Sequence, residues 1–124
     1  MISFDNFTPI DGLPIYLSII RHIERGCASG IIRNGDELPS RRVLSAMLGV
    51  NPNTIQKAYK ILEDSGLISS HGGAKSVMTL DDDKIAKIRR DLIAEDAGNF
   101  IRAMNAIGLT KSEALVLLDR LWEV

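Results

Sequence analysis

Apolar residues recur every three or four positions over most of this chain, which is the spacing of amphipathic helices. The first such stripe is Tyr16, Ile19, Ile20, Ile23 and Cys27. Pro14 suits the first position of that helix, and Asn34-Gly35 is typical of a tight turn after it. Residues 1–12 show no sustained period, so we expect them to form an N-terminal arm.

Two further helices are predicted on either side of a sharp turn. Ser40 is a good N-cap for the second helix, whose expected inward-facing residues are Val43, Leu44, Met47 and Leu48. Gly49 supplies the permissive backbone that a sharp turn needs. The third helix is predicted from about Pro52 to Ser65. Its predicted buried face is Ile55, Ala58, Tyr59 and Leu62.

Small polar side chains fill the first turn of the third helix. Asn51 suits the N-cap, Pro52 fits the first helical position, and Asn53, Thr54 and Gln56 follow. A helix-turn-helix protein presents the groups that touch phosphates and base edges at this place. An ordinary helical hairpin would carry apolar or charged residues there. The pattern therefore favours DNA binding, with a plain capped surface helix as the alternative.

A small β-hairpin is predicted after the third helix. Two short segments, 67–70 and 76–80, flank a Gly-Gly turn at 72–73. Three helices followed by such a hairpin is the winged-helix arrangement, in which the hairpin reaches to one side of the recognition helix. The predicted fold is therefore mainly α with a small β-hairpin.

Two more helices are predicted in the last third of the chain. Acidic residues at 81–83 suit the start of a fourth helix, with a kink or break expected at Gly98-Asn99. Thr110 and Glu113 have the spacing of a capping box for a fifth helix. The apolar residues of that helix are Leu115, Leu118, Leu121 and Trp122. So short a segment can hardly bury them within one subunit, which favours burial against a second copy.

Composition narrows the function classes only modestly. The 124 residues suit one good core, or one small domain with an appendage, and the net charge of −1 gives no support to DNA binding. Five basic residues nonetheless lie in or beside the predicted recognition unit, namely Arg41, Arg42, Lys57, Lys60 and Lys75. A single cysteine fits a reducing cytoplasm, and no apolar run approaches the roughly 20 residues that cross a bilayer. No catalytic, metal or cofactor motif stands out, so we expect neither an enzyme nor a membrane protein.

Several motifs together resemble the GntR family of bacterial transcription regulators over about residues 13–80. They occur in the order and spacing of that family. They are Pro14-Ile15-Tyr16, Leu38-Pro39-Ser40-x-Arg42-x-Leu44, Leu48-Gly49-Val50-Asn51-Pro52-Asn53-Thr54, Ala58-Tyr59, Leu62-Glu63 and Gly66-Leu67-Ile68. The short remainder is similar to the YtrA-like subgroup, in which two helices serve dimerisation. The resemblance thus implies an arm at 1–12, a winged helix-turn-helix domain at 13–80 and a helical dimerisation tail at 81–124.

The resemblance also implies roles for individual residues. Arg42 would contact DNA, and the residues in or beside the major groove would be Asn51, Asn53, Thr54 and Gln56. Lys57, Lys60 and Arg41 are either phosphate contacts or solvated charges. Tyr59 either packs in the core or shares the DNA-facing side, with its spacing favouring the core. In the wing, His71, Gly72 and Gly73 are expected contacts, although Lys75 replaces the second glycine of the usual pattern.

A homodimeric repressor on a palindromic double-stranded operator is the function that these expectations favour. The subgroup often accompanies membrane-transporter genes, so the resemblance implies a small-molecule effector as well. The alternative is a winged-helix module that binds another protein and no specific DNA. The polar cluster at 51–56 discriminates between the two, because a protein-binding surface would prefer apolar or aromatic anchors there.

Overall fold

The computed structural model describes residues 1–71 and 75–123, and in that part of the chain it is mainly helical with one small antiparallel sheet. The predicted fold class is thereby confirmed. The elements in chain order are α1 (Ile15–Ser29), β1 (Glu37–Leu38), α2 (Arg41–Leu48), α3 (Pro52–Asp64), β2 (Ile68–His71), β3 (Lys75–Met78), α4 (Asp82–Ala106) and α5 (Lys111–Trp122).

Two compact units make up the chain, Met1–Arg89 and Arg90–Val124, and α4 begins in the first and ends in the second. The core of the first unit contains the apolar stripes of α1 and α3. The fully buried side chains there include Ile19, Ile23, Leu44, Ile55 and Tyr59. The predicted buried faces of α1 and α3 therefore agree with the structure. The boundaries predicted at residues 12 and 80 stay predictions.

Helix α2 turns a different face inward from the one predicted. Leu44 is fully buried, but Val43 and Met47 are 47% and 55% exposed, so their predicted inward orientation is wrong. A helix advances about 100° per residue, which places position 45 beside positions 44 and 48 and leaves 43 and 47 on the other side. Ser45 takes the buried place instead, and its hydroxyl donates a 2.6 Å hydrogen bond to the Val50 carbonyl.

The sheet has three strands in the order β1-β3-β2, one more than the predicted hairpin. Both outer strands pair antiparallel with β3. Glu37 of β1 lies opposite Val77, and Ile68 of β2 lies opposite Met78. The extra strand has only two residues, which is too short to show an alternating pattern. The side-chain oxygen of Asn34 accepts a 2.8 Å hydrogen bond from the Leu80 N–H and so fixes the chain just beyond β3.

The first twelve residues contain neither a helix nor a strand, yet they are anchored to the first unit. Ile2 and Phe4 are buried, and the Ile2 N–H donates a 2.8 Å hydrogen bond to the Glu37 carbonyl. The Phe4 ring stacks on His22 with 4.6 Å between ring centroids. The segment predicted as an arm thus contributes side chains to the core.

In the second unit, α4 continues without interruption through Gly98 and Asn99, so the predicted break there is wrong. A single glycine costs a helix only about 1 kcal/mol, which its other residues readily offset. The capping box at the start of α5 is confirmed, with Thr110 and Glu113 exchanging hydrogen bonds. No helix of the described residues is long and apolar enough to span a lipid bilayer.

Candidate nucleic-acid interface

The start of α3 is held in place by its own polar residues. The Asn51 side chain caps the helix by accepting a 2.8 Å hydrogen bond from the Asn53 N–H, and Pro52 occupies the first turn. Gly49 adopts a left-handed conformation with φ of 67°, which forms the sharp turn between α2 and α3. The local structure predicted for this segment is therefore confirmed.

Polar side chains of this first turn face the solvent. Asn51, Asn53 and Gln56 are exposed and Thr54 is half-buried, whereas Ile55 between them is fully buried. Because Ile55 anchors the helix in the core, the neighbouring amide groups are presented outward on a rigid backbone. Amides donate and accept hydrogen bonds, which suits them to base edges and phosphates.

Tyr59 belongs to the core, which decides between the two roles considered for it. Its side chain is fully buried, and its hydroxyl donates a 2.6 Å hydrogen bond to the Pro39 carbonyl. Burial raises the pKa of this hydroxyl, and the nearby Arg41 charge opposes the rise only in part. Tyr59 therefore packs in the core on the buried face of α3 and does not reach the solvent.

The two arginines at the start of α2 differ in their surroundings. Arg42 is exposed, whereas the Arg41 guanidinium lies 5.2 Å from the centroid of the Tyr59 ring. In the part of the chain that the structure describes, Arg41 Nε is a buried atom without a hydrogen-bond partner. A planar guanidinium stacks well on an aromatic face, so Arg41 is held beside α3 in a defined orientation. The sequence does not reveal this contact, because 18 residues separate the pair.

The two lysines of α3 also differ. The Lys57 ammonium nitrogen lies 4.1 Å from the centroid of the Tyr16 ring on α1. Lys60 forms a 3.5 Å ion pair with Asp64 one turn later, and both side chains of that pair are about two-thirds exposed. The contacts therefore favour a solvated surface pair for Lys60 and a fixed position for Lys57.

The wing is described only in part. His71 ends β2 and Lys75 begins β3, while the predicted contacts Gly72 and Gly73 lie outside the described residues. The Ser70 hydroxyl donates a 2.8 Å hydrogen bond to the Glu63 carboxylate, which ties β2 to α3. The predicted DNA contacts of the wing stay predictions.

A separate apolar surface lies within the second unit. Helix α5 contains no buried side chain in the chain alone, and Leu115, Leu121 and Trp122 are 56%, 54% and 82% exposed. A groove of about 620 Å³ runs between α5 and the end of α4. Its apolar lining includes Phe100, Ile101, Met104, Leu115, Leu118 and Trp122.

Comparison with known proteins places these features in a family. Residues 15–76 match the family described as bacterial regulatory proteins, gntR family. The HTH-type transcriptional repressor YtrA of Bacillus subtilis is 44% identical over 73 residues, 59% of this chain and 54% of that protein. The chain therefore matches about half the length of that relative.

Two further relatives extend the similarity beyond the wing. The uncharacterized HTH-type transcriptional regulator YhcF of Bacillus subtilis is 32% identical, over 82% of this chain and 84% of that protein. A solved GntR family transcriptional regulator from Listeria monocytogenes superposes with a TM-score of 0.77 and 32% identity. The superposition covers 90% of this chain and 97% of the Listeria chain.

Proposed function

Because the chain belongs to the gntR family of bacterial regulatory proteins, a family of DNA-binding transcription regulators and not of enzymes, we propose that it represses transcription as a homodimer on a two-fold symmetric operator. The observation that carries the DNA-binding part is the rigid, solvent-facing polar turn at the start of α3. Repression is supported by the similarity to YtrA of Bacillus subtilis, which is a transcriptional repressor. Acting on bacterial operators, it would work in the cytoplasm.

In this proposal α3 is the recognition helix. Asn51, Asn53, Thr54 and Gln56 read base edges, since their amides and hydroxyl lie at the exposed first turn. Arg41, Arg42 and Lys57 contact backbone phosphates and fix the register of the helix in the major groove. His71 and the glycines that follow it belong to the wing and complete the contact on one side.

The homodimer is supported by the apolar character of α5. A helix that carries apolar residues around most of its circumference is normally buried, yet every described side chain of α5 is exposed or only half-buried in the isolated chain. Leu115, Leu118, Leu121 and Trp122 would be buried against a second copy, and the groove beside them would accept its apolar side chains. The two recognition helices would then enter successive major grooves about 34–36 Å apart.

A protein-interaction module is the second candidate, and the polar surface of α3 argues against it. Protein interfaces depend on a few buried aromatic or arginine anchors, whereas the first turn of α3 exposes amides. A small-molecule effector stays a prediction from the resemblance.

Selection of bound sequences from random duplex DNA, followed by footprinting, tests the proposal. We expect a consensus with two-fold symmetry and half-site centres one helical turn apart, protected on one face of the duplex. Sedimentation at micromolar concentration should give twice the mass of 13.6 kDa. An enriched consensus without symmetry would contradict the dimer. No enrichment at all would contradict specific DNA binding and favour the protein-interaction module.

A further inference from the structure

The contact between Lys57 and Tyr16 joins α3 to α1 close to the exposed turn of the recognition helix. The ammonium nitrogen lies 4.1 Å from the ring centroid, well within the range of about 6 Å in which a cation is attracted to an aromatic face. Lys57 is exposed and Tyr16 is half-buried, so the ring is fixed by its packing and the cation remains open to solvent on its far side.

No acidic neighbour on α3 competes for this lysine. The residues three and four positions away on the same helix are Asn53, Thr54, Lys60 and Ile61. None of them offers the usual carboxylate partner for an exposed lysine on a helix. Lys60 carries the same charge and pairs with Asp64 instead. Within α3, therefore, no carboxylate draws the Lys57 ammonium away from the Tyr16 ring.

We propose that Tyr16 is a positioning residue for DNA binding, whose ring holds the Lys57 ammonium toward a backbone phosphate. This inference rests on the proposed function, and it adds α1 to the elements that shape the interface. An ammonium has three N–H donors. The ring face occupies one side of the group and leaves the others for phosphate oxygens. A free lysine stem would lose more rotamer freedom on binding, because it has four rotatable bonds to order.

A double-mutant cycle on the selected operator tests the proposal. Lys57→Ala should weaken binding to every duplex and reduce the magnitude of the slope of log affinity against log salt by about 0.9 per subunit, or about 1.8 for the dimer, the value for one phosphate contact on each copy. Tyr16→Leu should weaken binding about two- to fivefold per subunit, the range of an exposed cation–π contact. In the Lys57→Ala background the same change should have no effect. Tyr16→Phe keeps the ring face and should bind like the wild type.

An equal loss from Tyr16→Leu in both backgrounds would overturn the proposal, since the ring would then act without Lys57. Should Tyr16→Leu fail to fold, proton NMR of the wild type decides. The Lys57 Hε protons should be shifted upfield by the ring current, in the free protein and on the operator. Absence of that shift on the operator would overturn the proposal. A wild type that binds no operator would instead refute the proposed function.

Discussion

The hydroxyl of Tyr59 donates a 2.6 Å hydrogen bond to the carbonyl oxygen of Pro39, a residue 20 positions earlier. Both residues are buried. Pro39 directly precedes Ser40, whose side chain caps α2, so this bond joins the core of α3 to the start of α2. The relative position of the two helices that form the helix-turn-helix depends on this contact.

Removing the Tyr59 hydroxyl should destabilise the first unit without leaving a large cavity in its core. Tyr59→Phe keeps the ring beneath Arg41 but leaves the buried Pro39 carbonyl without a partner, which costs about 1–3 kcal/mol of unfolding free energy. Urea denaturation followed by circular dichroism measures the change. A variant as stable as the wild type would mean that the bond contributes nothing net.

Val43 and Met47 of α2 should tolerate polar substitution, although their spacing in the sequence assigns both residues to the core. Val43→Gln and Met47→Gln should each change the unfolding free energy by no more than about 0.5 kcal/mol, because both side chains already face solvent. Leu44→Ala is the matched control on the same helix and should cost about 2–5 kcal/mol. Large losses at 43 or 47 would place those residues in an interface.

How far the sequence predicts the fold depends on the length of each element. Helices α1 and α3 have 15 and 13 residues, more than three turns each, so the period of their apolar residues identifies the buried face, and Asn51 and Thr110 identify two helix starts correctly. Helix α2 has eight residues and strand β1 has two. Over such short segments a pattern cannot distinguish neighbouring faces or show alternation.

The candidate site divides in the same way. The polar first turn of α3 is formed by consecutive residues, so the sequence predicts it as a unit. The contacts of Arg41 with Tyr59 and of Lys57 with Tyr16 join residues on different helices, and only the packed structure brings them together. Whether a surface lysine is positioned or merely solvated is therefore decided by tertiary contacts.

The buried thiol of Cys27 predicts a loss of stability in alkaline solution. Burial, helped by the charges of Glu24 and Asp36, raises its pKa from the ordinary value of 9.0 to about 11. The unfolded chain therefore loses this proton at lower pH than the folded chain. The stability that the buried, protonated thiol contributes is fully present below pH 9 and is lost as the pH rises toward 11.

Urea denaturation between pH 8 and about 11 checks this, with Cys27→Ala as the control that should show a flatter decline over that range. In the native protein the thiol should also react slowly with a disulfide reagent at pH 8, and rapidly after unfolding. Equal reaction rates in the two states would contradict burial of the thiol.

Substitution of Asn53 should change DNA recognition without changing the stability of the fold. Its backbone N–H serves the Asn51 cap while its side chain is exposed, so Asn53→Ala keeps the cap and removes only the outward amide. We expect unchanged thermal stability and a loss of about 1–3 kcal/mol in operator binding, measured by fluorescence anisotropy. By contrast, Asn51→Ala removes the cap as well as a proposed base contact, so it should lower stability by about 1 kcal/mol in addition to weakening operator binding. Unchanged operator affinity in Asn53→Ala would remove this residue from base recognition.

Trp122 provides the sharpest test of the dimer. It is 82% exposed in the isolated chain and lines the apolar groove of the second unit. If a second copy covers this surface, Trp122→Ala should weaken the dimer by about 2 kcal/mol or more, as for a buried aromatic anchor. Sedimentation over a dilution series measures that change. Asp119→Ala, at another exposed position of α5, should leave the dimer constant unaltered. If both variants sediment like the wild type at every concentration, this face of α5 is not the dimer interface. The apolar groove would then have to be covered by something other than a second copy of this chain.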